Sequence, residues 1–135
     1  MIQFEVPGVP HGKGRPRFAR RGNFVQTYTD EKTVSYEDKV RFYALQAMGN
    51  AKPMEGPVAI YLYIRLPVPG SYSKKRTEAC LNGLERPTKK PDWDNVAKSI
   101  CDAINAIVYL DDSQIVDVHV TKVFESVAGV DVVVN

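Results

Sequence analysis

Between Asp94 and Ile107 the side chains sort by type at the spacing of an α-helical turn, and this constrains the fold more than any other feature of the chain. At about 100° per residue, Val96, Ile100, Ile104, Ile107 and Val108, with Ala97 and Cys101, fall in one sector, and Asp94, Lys98, Asp102 and Asn105 in another. The first set predicts a face buried against a core. The second sets one lysine between two carboxylates at i, i+4 spacing. An Asp-Lys-Asp surface ladder, worth about 0.3–0.5 kcal/mol per pair, would explain the helix alone. It leaves unexplained Asp92 just upstream and the Asp111-Asp112 pair after a short connection. A helix over 94–107 is about 20 Å long, and Tyr109-Leu110 then lead toward an apolar strand at Ile115–Phe124. If the chain doubles back beside the helix start, three carboxylates converge. Gathered carboxylates repel one another unless a cation sits among them, and an oxygen-only donor set favours Mg²⁺, with Mn²⁺ as a substitute, over zinc.

The rest of the chain reads as one domain spanning 1–135, long enough for a single core. Ile2–Val6 predicts a strand, and Pro10–Gly22, with its glycines, prolines and basic residues, an exposed, mobile loop. Phe24–Tyr28 resumes extended structure. A helix capped by Asp30 or Ser35 runs to about Met48 with Val40, Tyr43, Ala44 and Ala47 on one side, ended by Gly49-Asn50. Val58–Leu66 predicts a core strand, Lys74–Leu81 a short helix, Thr88–Pro91 an approach loop, and Ile115–Phe124 and Val130–Val134 closing strands. The expected class is α+β, a small mixed sheet backed by helices.

The net charge of +2 hides a lopsided distribution. Residues 1–22 carry Lys13, Arg15, Arg17, Arg20 and Arg21 against Glu5; residues 74–90 carry Lys74, Lys75, Arg76, Arg86, Lys89 and Lys90 against Glu78 and Glu85. Residues 92–117 reverse the sign, with Asp92, Asp94, Asp102, Asp111, Asp112 and Asp117 facing Lys98. An acidic centre flanked by basic segments suits a metal-using nuclease, in which cations hold the phosphate backbone and carboxylates the metal. Lys13, Arg15, Arg17, Arg20, Arg21, Lys74, Lys75, Arg76, Lys89 and Lys90 are the candidate DNA contacts.

Apolar runs such as Val58–Tyr63 are too short to span a bilayer, and no secretory leader is read at the start, so a cytoplasmic location without membrane contact is expected. Cys80, Cys101, His11 and His119 are too scattered for a disulfide framework or a zinc site. An EF-hand would need oxygen ligands where Val96 and Ile100 stand and a Glu at Ala103. Phosphatases of the haloacid-dehalogenase type place Asp-x-Asp after an apolar strand, whereas the basic segment Arg86–Pro91 precedes it here. A glycosyltransferase Asp-x-Asp belongs to a much larger chain.

Lys90-Pro91-Asp92-Trp93-Asp94-Asn95, then Lys98, Asp102-Ala103 and Leu110-Asp111-Asp112-Ser113-Gln114-Ile115, resemble the RusA family of Holliday junction resolvases, found in bacteria and especially in phages and prophages. Pro10-His11-Gly12-Lys13-Gly14-Arg15-Pro16-Arg17-Phe18 is similar to that family's N-terminal basic motif. The resemblance implies a homodimer that resolves four-way DNA junctions in recombination and repair. It implies that Asp92, Asp94 and Asp112 bind catalytic metals and that Lys98 contacts the scissile phosphate. The connection from Asp102 to Asp111 is shorter than in some relatives and lacks a glycine often seen there, which leaves Asp111 and Asp112 both open as the third ligand. Asp102 reads as the residue that orients Lys98, and Asp111 as a turn or supporting residue. Trp93 and Phe18 are apolar groups near the DNA face; either could wedge between bases, and packing in the core or at the dimer interface is the preferred expectation. Two rivals remain, a non-catalytic DNA-binding protein and a metal phosphoesterase acting on other branched DNA or on nucleotides.

Overall fold

The computed structural model describes residues 1–14 and 17–135, the side chain of Arg17 excepted. The elements follow as β1 (Ile2–Pro7), β2 (Arg17–Arg21), β3 (Phe24–Tyr28), α1 (Glu31–Met48), β4 (Val58–Pro67), α2 (Lys74–Leu81), α3 (Trp93–Ala103), a 3₁₀ turn (Asp112–Gln114), β5 (Ile115–Glu125) and β6 (Gly129–Val134). β1, β6, β4 and β5 form one sheet in that order, and β2 and β3 a separate hairpin. β6 runs antiparallel to both β1 and β4, while β4 and β5 are parallel. Parallel neighbours need a crossover, and the segment carrying α2 and α3 supplies it. The class is α+β with a mixed sheet, as the sequence leads one to expect.

Alternation along β4 buries Val58, Ile60, Leu62, Ile64 and Leu66 on one face, continued on β6 by Val130, Val132 and Val134. Val40, Ala44 and Met48 of α1 and Val96, Ile100 and Ala103 of α3 close over that face in a single core cluster. Asp30 caps α1, its side chain accepting the Thr33 N–H at 2.7 Å. Gly49 ends the helix at φ 53°, a backbone geometry that a Cβ disfavours. Ser73 caps α2 by accepting the Arg76 N–H at 3.1 Å.

Two sequence expectations are corrected. α3 stops at Ala103, not Ile107. Ile104, Val108 and Tyr109 stay fully buried, but in a turn folded under the helix, with Ala106 at φ 65° and the Tyr109 hydroxyl donating to the Cys101 carbonyl at 2.6 Å. The apolar register continues past the helix because core space, not helical geometry, is what those residues fill. The basic segment Pro10–Gly22 is also no uniform exposed loop. Residues 11–14 are half-buried, and from Arg17 the chain forms β2 of the hairpin.

Candidate active site

α3 is positioned from both ends. Before it, Lys122 on β5 donates from Nζ to the carbonyls of Lys89 and Pro91, both at 2.9 Å, and Arg86 donates from Nε and Nη2 to the Lys122 carbonyl at 3.0 and 2.7 Å. These bonds tie the approach loop, with its cis Lys90–Pro91 peptide, to the sheet immediately upstream of Asp92. Asp92 occupies the N-cap position, yet its side chain makes no capping hydrogen bond. An N-cap aspartate ordinarily satisfies a free helix N–H, so this carboxylate is left for another use. Asp94 lies in the first turn, where the helix dipole favours negative charge, and its Oδ1 accepts the Asn95 N–H at 3.0 Å.

The N-terminal basic motif docks across the start of α1 and α3. The Lys13 N–H donates to the Asn95 carbonyl at 2.9 Å. Thr33 Oγ1 lies 3.1 Å from His11 Nε2 and accepts the Gly14 N–H at 3.2 Å. A Cβ on Gly12 would stand 3.0 Å from the Asn95 Cβ, a tight approach that would press the loop and the helix apart by a few tenths of an ångström.

That docking carries Lys13 into a chain of charge. Its Nζ donates to Asp102 Oδ2 at 2.6 Å and to Glu37 Oε1 at 3.0 Å, and Lys98 Nζ donates to Asp102 Oδ1 at 2.8 Å. Burial would raise the Asp102 carboxyl, but the bonds from Lys13 and Lys98 outweigh it and hold the group below the usual carboxylate range. The Lys98 ammonium is raised by its bond to Asp102 against an opposing effect of burial, with a further contribution from the Asp112 charge. Burial likewise opposes the rise of Lys13, and its bonds to Asp102 and Glu37 prevail. Lys98 therefore stays cationic at neutral pH and is unsuited to act as a base. Asp102 accepts from Lys98 and is itself held by Lys13, whose ammonium bonds to both Asp102 and Glu37.

The segment after α3 is fixed by two amides. The Asp112 N–H donates to Asn105 Oδ1 at 2.8 Å. Gln114 accepts the Leu110 and Asp111 N–H groups at 2.8 and 2.9 Å and donates to the carbonyls of Met54 and Gly56 at 2.9 and 2.8 Å. Asp111 caps the 3₁₀ turn by accepting the Ser113 N–H at 3.1 Å, and with Gln114 completes a capping box. The bond from Ser113 holds the Asp111 carboxyl below its ordinary value. Asp111 is thus committed to the turn, while the Asp112 carboxylate accepts no hydrogen bond among the described residues.

Asp92, Asp94 and Asp112 are all exposed. None lies within 4 Å of a cationic side chain among the described residues. The convergence expected of them is not found within one chain: among the described residues no three His, Cys, Asp or Glu side chains stand together as a metal cage. The donor chemistry nonetheless fits Mg²⁺, which uses one or two carboxylates and completes its shell with water and substrate phosphate. A depression of about 370 Å³ opens between Pro10–Gly12 and Lys90–Asp92, with Asp92 and Asn95 in its wall. A larger apolar groove of about 660 Å³, lined by Leu66, Tyr72, Leu84, Pro87 and Phe124 among others, lies on the α2 side of the approach loop and contains no candidate aspartate.

The model of the endodeoxyribonuclease RusA family matches residues 7–135, which takes in the docked N-terminal motif, α3 and the Asp112 turn alike. The chain belongs to the RusA endodeoxyribonuclease family. It is also 37% identical over 136 residues to the uncharacterized protein YqaN of Bacillus subtilis (strain 168), covering 99% of this chain and 95% of that one. A RusA-family member is a DNA-cleaving enzyme, which sets aside a purely non-catalytic DNA-binding role. Among the described residues no helix is long and apolar enough to cross a membrane.

The expected DNA contacts of this RusA-family chain are placed unevenly. Arg20 and Arg21 are exposed on the hairpin, Lys74 and Lys75 in the first turn of α2, and Lys89 and Lys90 on the approach loop. Arg76 is occupied, bonded through Nε to Glu85 at 2.9 Å and lying 3.6 Å over the Tyr72 ring. Arg15 and the Arg17 side chain lie outside the described residues. Trp93 is 54% exposed and Phe18 72%, so neither packs in the core of this chain. Sequence reasoning gave no role to Glu37, Asn105, Gln114 or Lys122. The Asp111-x-x-Gln114 spacing is itself a capping-box signal; Glu37 and Lys122 carried none.

Proposed function

We propose that this chain is a Mg²⁺-dependent, structure-specific endodeoxyribonuclease that resolves four-way DNA junctions by paired symmetric nicks, acting as a homodimer in recombination and repair. The reading is supported by Asp92, at the head of α3 without a capping hydrogen bond, by Asp112, whose charge reaches Lys98, and by the raised Lys98 ammonium, in a chain of the RusA family. Asp92, Asp94 and Asp112 would hold the ion, with Mn²⁺ as an alternative. When bound, the ion supplies Lewis-acid chemistry that activates water and offsets phosphate charge. Lys98, oriented by Asp102, donates hydrogen bonds to a phosphate oxygen where negative charge accumulates in the transition state. Exposed Arg20, Arg21, Lys74, Lys75, Lys89 and Lys90 bind backbone phosphates, giving affinity without sequence information. A near two-fold junction needs two nicks, and a two-fold dimer brings two sites to it.

The test is incubation of the protein and of Asp92→Asn with a synthetic immobile junction, linear duplex and flap DNA, each with Mg²⁺ and with EDTA. Paired symmetric nicks in the junction are expected, absent from the variant and from EDTA. Equal cutting of linear duplex would remove the junction reading; cutting undiminished in EDTA or by Asp92→Asn would remove the metal reading.

A further inference from the structure

The β2–β3 hairpin is the least explained part of the molecule. It reverses direction in two residues, with Gly22 at φ 61°, the positive value that tight hairpin turns require. The register sets Phe18 opposite Thr27 and Arg20 opposite Val25, so these four share one face. Arg21, opposite Phe24, and Tyr28 belong to the other. Each face thus carries both an aromatic ring and an arginine position. Phe18 is 72% exposed, Phe24 78%, Val25 66% and Tyr28 46%. A hairpin built to complete a protein core would hide one face and wet the other; this one leaves large apolar side chains in water on both.

Charge decides what such an element suits. Residues 15–29 contain Arg15, Arg17, Arg20 and Arg21 and not one acid. A polyanion is favoured, and phosphates satisfy the arginines but offer the rings nothing to cover. Bases do, where they are unpaired: stacking on aromatic side chains combined with cationic backbone contacts is how single-stranded nucleic acid is held.

We propose that the β2–β3 hairpin is a DNA-binding arm in which Phe18, Phe24 and Tyr28 stack on unpaired bases while Arg20 and Arg21 hold the adjoining phosphates. The arm favours branched over linear DNA because the exchange point of a junction is where bases become free to unstack. This selectivity rests on the junction reading above, whereas the stacking itself does not.

The test measures equilibrium binding in EDTA to an immobile four-way junction, a linear duplex of matched sequence and a duplex with a single-stranded dT tail, at two salt concentrations. Three proteins are compared with the wild type: Phe18→Ala with Phe24→Ala, Phe18→Tyr with Phe24→Tyr, and Arg20→Gln with Arg21→Gln. The substituted side chains are exposed, and circular dichroism checks that the fold is kept. The alanine pair is expected to bind junction and tailed duplex at least tenfold more weakly, with duplex affinity and salt dependence unchanged, and the tyrosine pair to restore binding. The glutamine pair is expected to weaken all three and to flatten the salt dependence. Equal weakening by the alanine pair on all three DNAs, or on none, overturns the proposal. So does conversion of the alanine pair to a smaller species in sedimentation, which would assign the rings to contact between copies. A wild type without junction preference refutes the substrate reading alone, since the tailed duplex still tests the arm.

Discussion

Replacing Gln114 with alanine tests how much of the Asp112 turn is held by one of the two amide side chains that fix it. Gln114 makes four hydrogen bonds, two accepted from Leu110 and Asp111 and two donated to Met54 and Gly56 across 58 to 60 residues of sequence. A net contribution of about 0.5–1.5 kcal/mol per bond is usual, and three of the four are exposed, so the lower end applies. The expected loss is about 2 kcal/mol. The amides of Leu110 and Asp111 are then met by water, which keeps the cost from growing further. In a chain of this size the melting temperature should fall on the order of 5–10 °C. Urea denaturation of wild type, Gln114→Ala, Asp111→Ala and the double variant supplies the measurement. Asp111→Ala should cost less than Gln114→Ala, and because both belong to one capping box the double variant should cost less than the sum. Gln114→Ala within about 0.5 kcal/mol of wild type, the usual range for a surface change without structural consequence, would refute the assignment of this residue as the staple. Cleavage by Gln114→Ala in excess Mg²⁺ is a separate readout, expected to fall because the turn carrying Asp112 then keeps only the Asn105 bond of its two amide supports.

Lys13→Met should cost roughly 1.5–3 kcal/mol by leaving Glu37 and Asp102 facing each other without their shared cation, and should lower the turnover rate more than substrate affinity; Lys13→Arg should recover part of both. A DNA-binding defect with full stability and turnover would return Lys13 to the phosphate contacts. For pH, Asp102 is depressed below 3.8, so its contribution is complete above that value and disappears as pH falls through the lower folded one. Lys13 and Lys98 are raised above 10.5, so theirs is complete below it and disappears as pH climbs through the higher folded values. The contribution of these three groups should therefore be level in between, while the Cys101 thiol, pushed up by burial from 9.0 to about 11, takes stability away as pH rises above 9; Asp102→Asn should flatten the acid limb in urea midpoints taken across pH, and an unchanged limb would show that the ion pair does not report on folding. Ile100→Ala, at the fully buried centre of α3, should cost about 2–5 kcal/mol in the same assay.

The sequence by itself determined the elements whose signals are local. The alternation in Val58–Leu66, the Gly49 stop and the span of the short helix Lys74–Leu81 depend on period and capping chemistry that operate within a few residues. It also determined the chemistry of the candidate site, since carboxylates at Asp92, Asp94 and Asp112 and a lysine one turn on from Asp94 are legible as residue types. Tertiary structure decided the partnerships. Lys13 reads as one more cation in a basic run, and only the docking of its loop against α1 and α3 turns it toward Asp102 and Glu37. The apolar stripe through Val108 reads as more helix, because buried residues in a turn and in a helix face share the same spacing over so short a stretch. Which of Asp111 and Asp112 keeps a free carboxylate follows from a backbone N–H two residues on from Asp111, a choice made by turn geometry that composition cannot express. Local periodicity is set by covalent geometry and is therefore written in the chain; which charge finds which partner depends on packing between distant segments, and that exists only once the core has closed.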